Sequence, residues 1–380
     1  MHGSGAFGSK IELMRWNRCD GTRDRADAME YTIEQMRENS EVVYQINYKM
    51  TVQYEGTRYK GWQRQPRVEN TIQGKLETLL SRLLDTDIEV FGAGRTDAGV
   101  PALGQTASFR VSEEKLASFA QRFPSMKASW SGAGAKAQAK AAAGTLSSAA
   151  GTRPAAAGAL SSAAGTRSAA AGSHPAADSA LSPDSDDHGP DLPADPSADR
   201  SRQVRLQDAM LLEAVNHYLP EDIAIPRLTR ASDRFHARYL TSSKWYQYRI
   251  RTAPFSDVRD RRFQWQYGED LDTDAMLRAS RALIGTHDFT SFCGLKMKKS
   301  AVRTITDIRI SRPDEYTIVL DYYGDGFLNH MVRLLTGELT EVGAHRSPED
   351  AIGRILAAQK KGAASHTAPA SGLTLMKVNY

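Results

Sequence analysis

The sequence predicts an α+β fold in which most neighbouring strands run antiparallel. Segments of apolar–polar alternation are mixed with segments whose apolar residues recur at helical spacing. Two of the predicted strands, residues 304–310 and 316–322, follow one another with no helix between them. That order favours α+β over a doubly wound parallel sheet. With 380 residues, of which 41% are hydrophobic, the chain can build two domains or one large one.

The first predicted elements surround a Gly-rich loop. Residues 46–54 alternate strictly and predict a half-buried strand. A helix follows, with Asn70 or Thr71 as its N-cap, and its apolar residues are Ile72, Leu76, Leu79, Leu80 and Leu83. Residues 88–91 and 105–111 are predicted strands that enter and leave the loop.

The second half repeats this mixture of elements. The sequence predicts helices at residues 210–219, 273–283, 327–342 and 348–358, and strands at residues 244–251, 304–310, 316–322 and 373–380. In the strand at 244–251, Tyr246, Tyr248 and Ile250 share one face.

Two regions lie outside the folded part that we expect. Residues 1–43 predict a poorly ordered extension, with a helix near residues 28–37. Residues 128–200 predict a disordered insertion rich in Ala, Gly, Ser and Pro, in which the octapeptide at 146–153 recurs at 160–167. An accessory RNA-binding arm is the alternative for this insertion. The folded part then comprises an N-terminal half, residues 44–127 and 201–255, and a C-terminal half, residues 256–380.

Charge and composition indicate which partners, metals and cellular locations suit this chain. The net charge is +4, but residues 141–200 hold seven Asp and three Arg, a net charge of −4, so the remainder carries +8. A basic folded part suits a polyanionic partner, although a mildly basic surface is also common. Cys19 and Cys293 are the two cysteines, and no Cys/His cluster has metal-ligand spacing, so we expect no metal and a cytoplasmic location. No apolar run reaches the roughly 18 residues of a membrane span, and no leader is recognisable.

The most informative segment is the loop at residues 91–100, which packs three glycines and two alanines around one arginine and one aspartate. So little side-chain bulk lets the backbone turn tightly and approach another molecule. A carboxylate beside a guanidinium stays charged and can act as a nucleophile, a base or a ligand. Asp97 is therefore a candidate catalytic carboxylate with Arg95 as its partner. A hairpin turn with a surface ion pair is the alternative.

The loop is one of nine motif blocks that follow one another along the chain. The blocks are residues 54–65, 91–100, 104–105, 235–238, 245–248, 288–292, 326–327, 331–333 and 372–375. This ordered set closely resembles the tRNA pseudouridine synthase A (TruA) family. The resemblance runs from about residue 46 to residue 380, apart from the insertion. The Gly-Arg-Thr-Asp-Ala-Gly-Val core of the loop is specific, unlike a lone Gly-x-Gly.

This resemblance implies a pseudouridine synthase fold of two similar halves whose mainly antiparallel sheets meet at a central cleft. It implies an isomerase that converts uridine to pseudouridine at positions 38–40 of the tRNA anticodon stem-loop, after flipping the base out of its stack. Asp97 matches the catalytic aspartate of the family. Tyr246 matches the tyrosine that holds the flipped base, although a core strand tyrosine is the plain alternative.

Other residues follow from the same resemblance and from their chemistry. Arg95 is expected to pair with RNA or to fill the space of the flipped base. Arg333 lies among core-like residues, where a cation needs a partner, so we expect an ion pair with Asp97, with a snorkelling helix arginine as the alternative. Leu375, or its neighbour Leu373, is expected to form the apolar wall of the pocket.

Basic residues interleaved with aromatic ones are candidates for phosphate contacts. They are Arg58, Lys60, Arg64, Arg67 and, in a later block, Arg238. A solvated basic loop, or a surface ion pair for Arg238, is the alternative for each.

The chain departs from the family at Pro101, where the motif usually has histidine, so any RNA contact of that histidine is missing here. The expected partners are tRNA and a second copy of the chain, with no DNA, no membrane and no cofactor. Two alternatives stay open: a catalytically silent RNA-binding or tRNA-folding module, and a related synthase with another RNA target.

Overall fold

A sheet of ten strands forms the frame of the protein. The computed structural model describes residues 44–123, 196–295 and 300–380, and residues Gln45–Tyr380 form one compact unit. The strands are β1 (Gln45–Tyr54), β2 (Phe91–Gly92), β3 (Ala102–Ser112), β4 (Ile223–Ala231), β5 (Ser243–Arg251), β6 (Trp265–Gln266), β7 (Gly285–Asp288), β8 (Val302–Asp314), β9 (Thr317–Gly324) and β10 (Leu373–Asn379).

The strand order across the sheet is β4-β1-β3-β10-β5-β9-β8-β7, with β2 pairing beside β3 and β6 beside β5. The pairings are antiparallel, except that β10 runs parallel to β3 and β6 parallel to β5. The predicted α+β class with mainly antiparallel strands is therefore confirmed. β10, the last strand of the chain, lies between β3 and β5, so a strand of the C-terminal half is inserted between two strands of the N-terminal half.

Six α-helices belong to the described residues: α1 (Ile72–Leu84), α2 (Glu113–Arg122), α3 (Pro196–Tyr218), α4 (Thr273–Ser280), α5 (Met331–Gly343) and α6 (Ala351–Ala358). The first three contact one another, and α2 and α3 also contact β3 and β4. The last three likewise contact one another, and α4 contacts β8. The helices thus form two groups, one from each half of the chain.

Local sequence explains these elements well where the apolar pattern is strong. In β1 the side chains of Tyr48, Met50, Val52 and Tyr54 are buried and alternate with more exposed residues, as predicted. Thr71 caps α1 by accepting a hydrogen bond from the Gly74 amide, which satisfies one free N–H of the first turn.

Some predicted boundaries are wrong. The strand predicted at 88–91 shrinks to Phe91–Gly92, since residues 87–90 have no regular structure. The helix predicted at 210–219 begins at Pro196, a favourable first helical position for proline, so residues 196–200 of the predicted insertion are helical. The helix predicted to begin at residue 327 begins at Met331, because His330 has left-handed backbone with φ of 59°.

The structure adds β4, β6 and β7, which the sequence did not predict. The predicted N-terminal extension, its helix near residues 28–37 and most of the predicted insertion lie outside the described residues. Across the described ranges, no helix is both long enough and apolar enough to span a membrane.

Candidate active site

The Gly-rich loop is fixed on both sides by the elements that enter and leave it. The Ala93 amide donates to the carbonyl of Thr106 at 2.8 Å, and the Gln105 side chain donates to the carbonyl of Gly94 at 2.9 Å. Both partners lie on β3, so the strand that leaves the loop also holds its first residues. The loop therefore presents its side chains from a rigid base.

Thr96 is the second anchor of the loop. Its carbonyl accepts a hydrogen bond from the Trp62 amide at 3.1 Å, and its hydroxyl lies 2.9 Å from that of Tyr54. Gly61 passes close by with φ of +92°, and a Cβ at Gly61 would lie 2.7 Å from the Thr96 carbonyl oxygen. Only glycine fits this turn, which brings the 54–65 block against the loop.

Three side chains from one short segment converge on the Asp97 carboxylate. Asn329 donates to Oδ1 at 3.1 Å, while Arg333 Nη1 lies 3.6 Å and His330 Nε2 3.5 Å from Oδ2. Asp97 keeps 22% of its side-chain exposure and Arg333 keeps 16%. The carboxylate is thus held by donors and still faces open space, which suits a reactive group.

The left-handed backbone of His330 explains this convergence. A non-glycine residue in that region is uncommon and often marks a functional site. It separates the loop that carries Asn329 from α5, whose first turn carries Arg333. Arg333 is itself fixed, because its Nε donates to the Ala368 carbonyl at 2.8 Å.

An aromatic and apolar wall lies beside the carboxylate. Tyr246 is 7% exposed and lines the cavity, and the Phe327 ring meets it edge-on with centroids 5.2 Å apart. Burial raises the Tyr246 pKa well above its ordinary value, with smaller contributions from the neighbouring Tyr54 and from the Asp97 carboxylate. Its hydroxyl stays protonated at neutral pH.

Of the two leucines predicted for the apolar wall, Leu373 lines the cavity and Leu375 does not. Leu375 is 1% exposed and lies within the sheet, where its amide donates to the Pro101 carbonyl at 3.1 Å. The expectation for Leu375 is therefore corrected. Pro101 is buried as well and is absent from the cavity lining, so the departure from the family motif lies outside the cavity.

The whole cavity has a volume of about 620 Å³. Its lining joins the loop at 92–97, the segment at 326–332, and residues of β5 and β8. The ionisable side chains of the lining, apart from Tyr246, are those of Glu89, Arg95, Asp97, Arg238, Lys244, Arg303 and His330. Among the described residues, no three His, Cys, Asp or Glu side chains come together as a metal site.

The structure brings some of the predicted binding residues to the cavity and leaves others outside it. Arg95 is exposed at the cavity, and its Nε donates to the Gln63 side chain at 2.9 Å, so its partner is Gln63 rather than Asp97. Arg238 also lines the cavity.

The four predicted phosphate-binding residues between positions 58 and 67 lie outside the cavity lining. Arg58 forms a 2.7 Å ion pair with Asp222 and keeps 60% of its side-chain exposure, and Lys60 is exposed. Arg64 pairs with Glu77 at 3.1 Å, and Arg67 has a left-handed backbone with φ of 64°.

Sequence reasoning missed several polar residues of the cavity, among them Lys244, Arg303, Asn329 and His330. Asn329 and His330 fell inside a predicted helix, Lys244 fell at the start of a predicted strand, and Arg303 fell just before another. The only signal in the sequence was the proximity of residues 329 and 330 to the 326–327 and 331–333 blocks.

Comparisons with known proteins point to one family. The sequence profile described as tRNA pseudouridine synthase matches residues 50–123 and 279–380. tRNA pseudouridine synthase A from Bacillus sp. (strain KSM-64) is 30% identical over 335 residues, covering 88% of this chain and 99% of its own. tRNA pseudouridine synthase A from Moorella thermoacetica is 30% identical over 334 residues, covering 87% and 98%.

A loop-borne aspartate beside a buried tyrosine, in a chain with such relatives, defines an isomerase of the pseudouridine synthase class. Within that class, the chain belongs to the tRNA pseudouridine synthase A family.

Proposed function

We propose that this protein isomerises uridine to pseudouridine at positions 38–40 of the tRNA anticodon stem-loop, in the cytoplasm. The observation that carries the proposal is the convergence of Asn329, His330 and Arg333 on Asp97 inside a cavity of about 620 Å³. The relatives named above act on tRNA by name. The choice of the anticodon stem-loop rests on the family resemblance.

The reaction needs a charged carboxylate and no external group donor. The N1–C1′ bond breaks, a C5–C1′ bond forms, the proton on C5 leaves, and N1 takes up a proton, so the change is redox neutral. Asp97 is the group that starts it, by attack on the sugar, attack on the base or removal of the C2′ proton. A substrate deuterated at C2′ distinguishes the last route from the other two. Only removal of the C2′ proton would be slowed by the deuterium or would lose it from the substrate.

The target base must leave its stack before it can reach Asp97. Extrusion costs a few kcal/mol, and an aromatic face returns about 1–3 kcal/mol by stacking. In this proposal Tyr246 supplies that face and Leu373 the apolar side of the pocket. Arg95, exposed at the cavity, pairs with the RNA or takes the place of the extruded base.

We also propose that the two helix groups mark two similar halves with a cleft at their junction, and that the enzyme works as a homodimer. A bent RNA larger than one cavity gains phosphate contacts on a second basic surface. Arg58, Lys60 and Arg67, which lie outside the cavity lining, are candidates for such remote contacts.

The direct test is mass-spectrometric mapping of pseudouridine in tRNA incubated with the purified protein. Pseudouridine at positions 38–40 supports the proposal. Modification at other positions keeps the isomerase and overturns the target. Bound tRNA without any pseudouridine supports a silent RNA-binding module instead.

Sedimentation at low and high salt tests the assembly. A dimer held by apolar surface persists at both salt concentrations, whereas tRNA affinity falls steeply with salt because phosphate contacts release counterions. A monomer at micromolar concentration that still modifies tRNA contradicts the dimer.

A further inference from the structure

Besides Arg95, whose guanidinium is hydrogen-bonded to Gln63, three cations line the cavity without a carboxylate partner. They are Arg238, Lys244 and Arg303, and none of them forms an ion pair in the described part of the chain. Arg333, in contrast, lies 3.6 Å from Asp97. Unpaired cations that gather around one cavity repel one another, so their arrangement indicates an anion that arrives with the substrate.

Lys244 is the most constrained of the three. Its Nζ donates to the Ala93 carbonyl at 3.1 Å, at the start of the catalytic loop. Gly94 makes room for it, since a Cβ at Gly94 would lie 2.8 Å from Nζ. The ammonium has three N–H donors, and the described residues satisfy one of them. Two donors are left for a ligand.

The charges around Lys244 favour an anion. Arg238 and Arg303 are both close enough to disfavour its charged form. Asp325 opposes them, but its carboxylate already accepts a hydrogen bond from the Thr304 amide at 3.0 Å. Partial burial and the two arginines lower the Lys244 pKa to about 8, so the amine is charged at neutral pH at a cost in free energy.

We propose that Lys244, together with Arg238 and Arg303, binds a backbone phosphate next to the uridine that enters the cavity. This inference rests on the proposed function, because the phosphate belongs to the substrate RNA. All three side chains only donate hydrogen bonds, and phosphate is the RNA group that Lys and Arg bind most often. Because Lys244 also holds Ala93, an occupied phosphate site ties the substrate backbone to the loop that carries Asp97.

The test compares the effect of removing the Lys244 ammonium with the effect of neutralising a single phosphate. Anticodon stem-loops are prepared with a single neutral methylphosphonate at each phosphate flanking the target uridine, alongside the unmodified stem-loop. Each is assayed for kcat/KM with the wild-type protein, Lys244→Met and Lys377→Met. Lys377 is the matched control, an exposed lysine of β10 that does not line the cavity.

We expect Lys244→Met to lower kcat/KM on the unmodified RNA by about tenfold, in line with a hydrogen bond to a charged group. One methylphosphonate should lower the wild-type kcat/KM by a similar factor and leave that of Lys244→Met unchanged, since the partner charge is already missing. Lys377→Met should respond to every RNA as the wild type does. Inorganic phosphate at millimolar concentration should not restore the variant.

Two outcomes overturn the inference. If Lys244→Met and the wild type lose the same factor on every methylphosphonate RNA, Lys244 only supports the loop and contacts no phosphate. If Lys244→Met retains full kcat/KM, the site does not exist. Neither outcome touches the proposed function, which fails only if the wild-type protein forms no pseudouridine in the unmodified RNA.

Discussion

The cavity contains two charged regions that differ in how their charges are balanced. At Asp97 the protein itself supplies the partners, with Asn329, His330 and Arg333 around the carboxylate. At Lys244 the neighbours are two further cations, and the described residues supply no ion pair. A group that performs chemistry is oriented by the protein before the substrate arrives. For a group that binds the substrate, the counter-charge comes from the substrate itself.

The same comparison extends to the backbone. The Asp97 region requires the left-handed residue His330, which places its neighbours on the carboxylate. Lys244 itself has no left-handed backbone. It projects from β5, whose pairing with β9 is regular, while the pairing with β10 carries a register shift between Leu375 and Lys377. Of the two regions, only the one that we assign to the chemistry contains a left-handed residue, His330, and a rigid arrangement has its greatest effect on rate there.

The largest expected effect is that of Asp97→Asn. The amide keeps the shape of the side chain but removes its charge and nucleophilicity, so we expect no detectable pseudouridine and nearly unchanged tRNA binding. Asp97→Glu keeps the charge but displaces it by one methylene, and we expect a loss of at least about 100-fold in kcat. Single-turnover assays and filter binding measure the two properties.

Asp350→Asn is the control for this prediction, since Asp350 is 69% exposed and pairs only with Arg354 among the described residues. Measurable turnover by Asp97→Asn would remove Asp97 from the mechanism.

Arg333→Met should have the next largest effect. It removes the cation 3.6 Å from Asp97 Oδ2 and the hydrogen bond to Ala368. We expect kcat to fall by about 10–100-fold, the range for interactions with a charged group, with a smaller change in KM. Arg354→Met, in an exposed pair of α6, should leave kcat unchanged. A change confined to KM would place Arg333 in substrate binding and not in the support of Asp97.

The sequence predicted the Asp97 region better than the Lys244 region for a physical reason. Asp97, Tyr246 and Arg333 lie in motifs whose residue types are tied to chemistry, and the structure brings all three to one place. The role of Lys244 depends on which strands flank β5 and on the path of the loop at Ala93. No local pattern encodes those long-range neighbours.

The same limit explains the errors in the fold. Leu373 and Leu375 share one face of a strand by alternation, and only the position of β10 between β3 and β5 decides which one reaches the cavity. β4 carries Pro226 within a charged segment, which argues against a central strand. β4 is in fact the edge strand of the sheet, where proline is tolerated.

The third prediction concerns how the free energy of unfolding depends on pH. It tests whether the Lys244 ammonium, which forms no ion pair among the described residues, destabilises the folded protein. The Lys244 pKa is lowered to about 8 in the folded protein by burial and by Arg238 and Arg303, whereas an unfolded lysine has a pKa near 10.4. Between these values the unfolded chain binds more protons, so the contribution of Lys244 to stability rises with pH.

Lys244→Met should therefore be more stable than the wild type at pH 7, by on the order of 1 kcal/mol or more, and the difference should shrink between pH 8 and pH 10. Denaturant unfolding of both proteins at pH 7 and pH 9.5 measures it. If the wild type is the more stable protein at pH 7, interactions in the folded protein compensate the charge of Lys244. That result would contradict the assignment of Lys244 as a cation without a partner.

The smallest expected effect is that of deleting the low-complexity insertion, because the contacts that define the two charged regions all lie among described residues outside it. The repeat at 146–153 and 160–167 offers one large apolar residue per copy, too few to offset the entropy of ordering the chain. Since α3 begins at Pro196, the deletion should span residues 130–195 and spare this helix. A Gly/Ser linker of about ten residues, which reaches about 33 Å when extended, replaces it.

We expect this deletion to leave the soluble yield unchanged and kcat/KM within about twofold of the full chain. Removal of residues 130–210 should instead destabilise the protein, because it cuts into α3, which packs on α1, α2 and β4. A large loss of tRNA affinity in the shorter deletion, with normal unfolding, would identify the insertion as an accessory RNA-binding arm and place part of the binding charge outside the cavity.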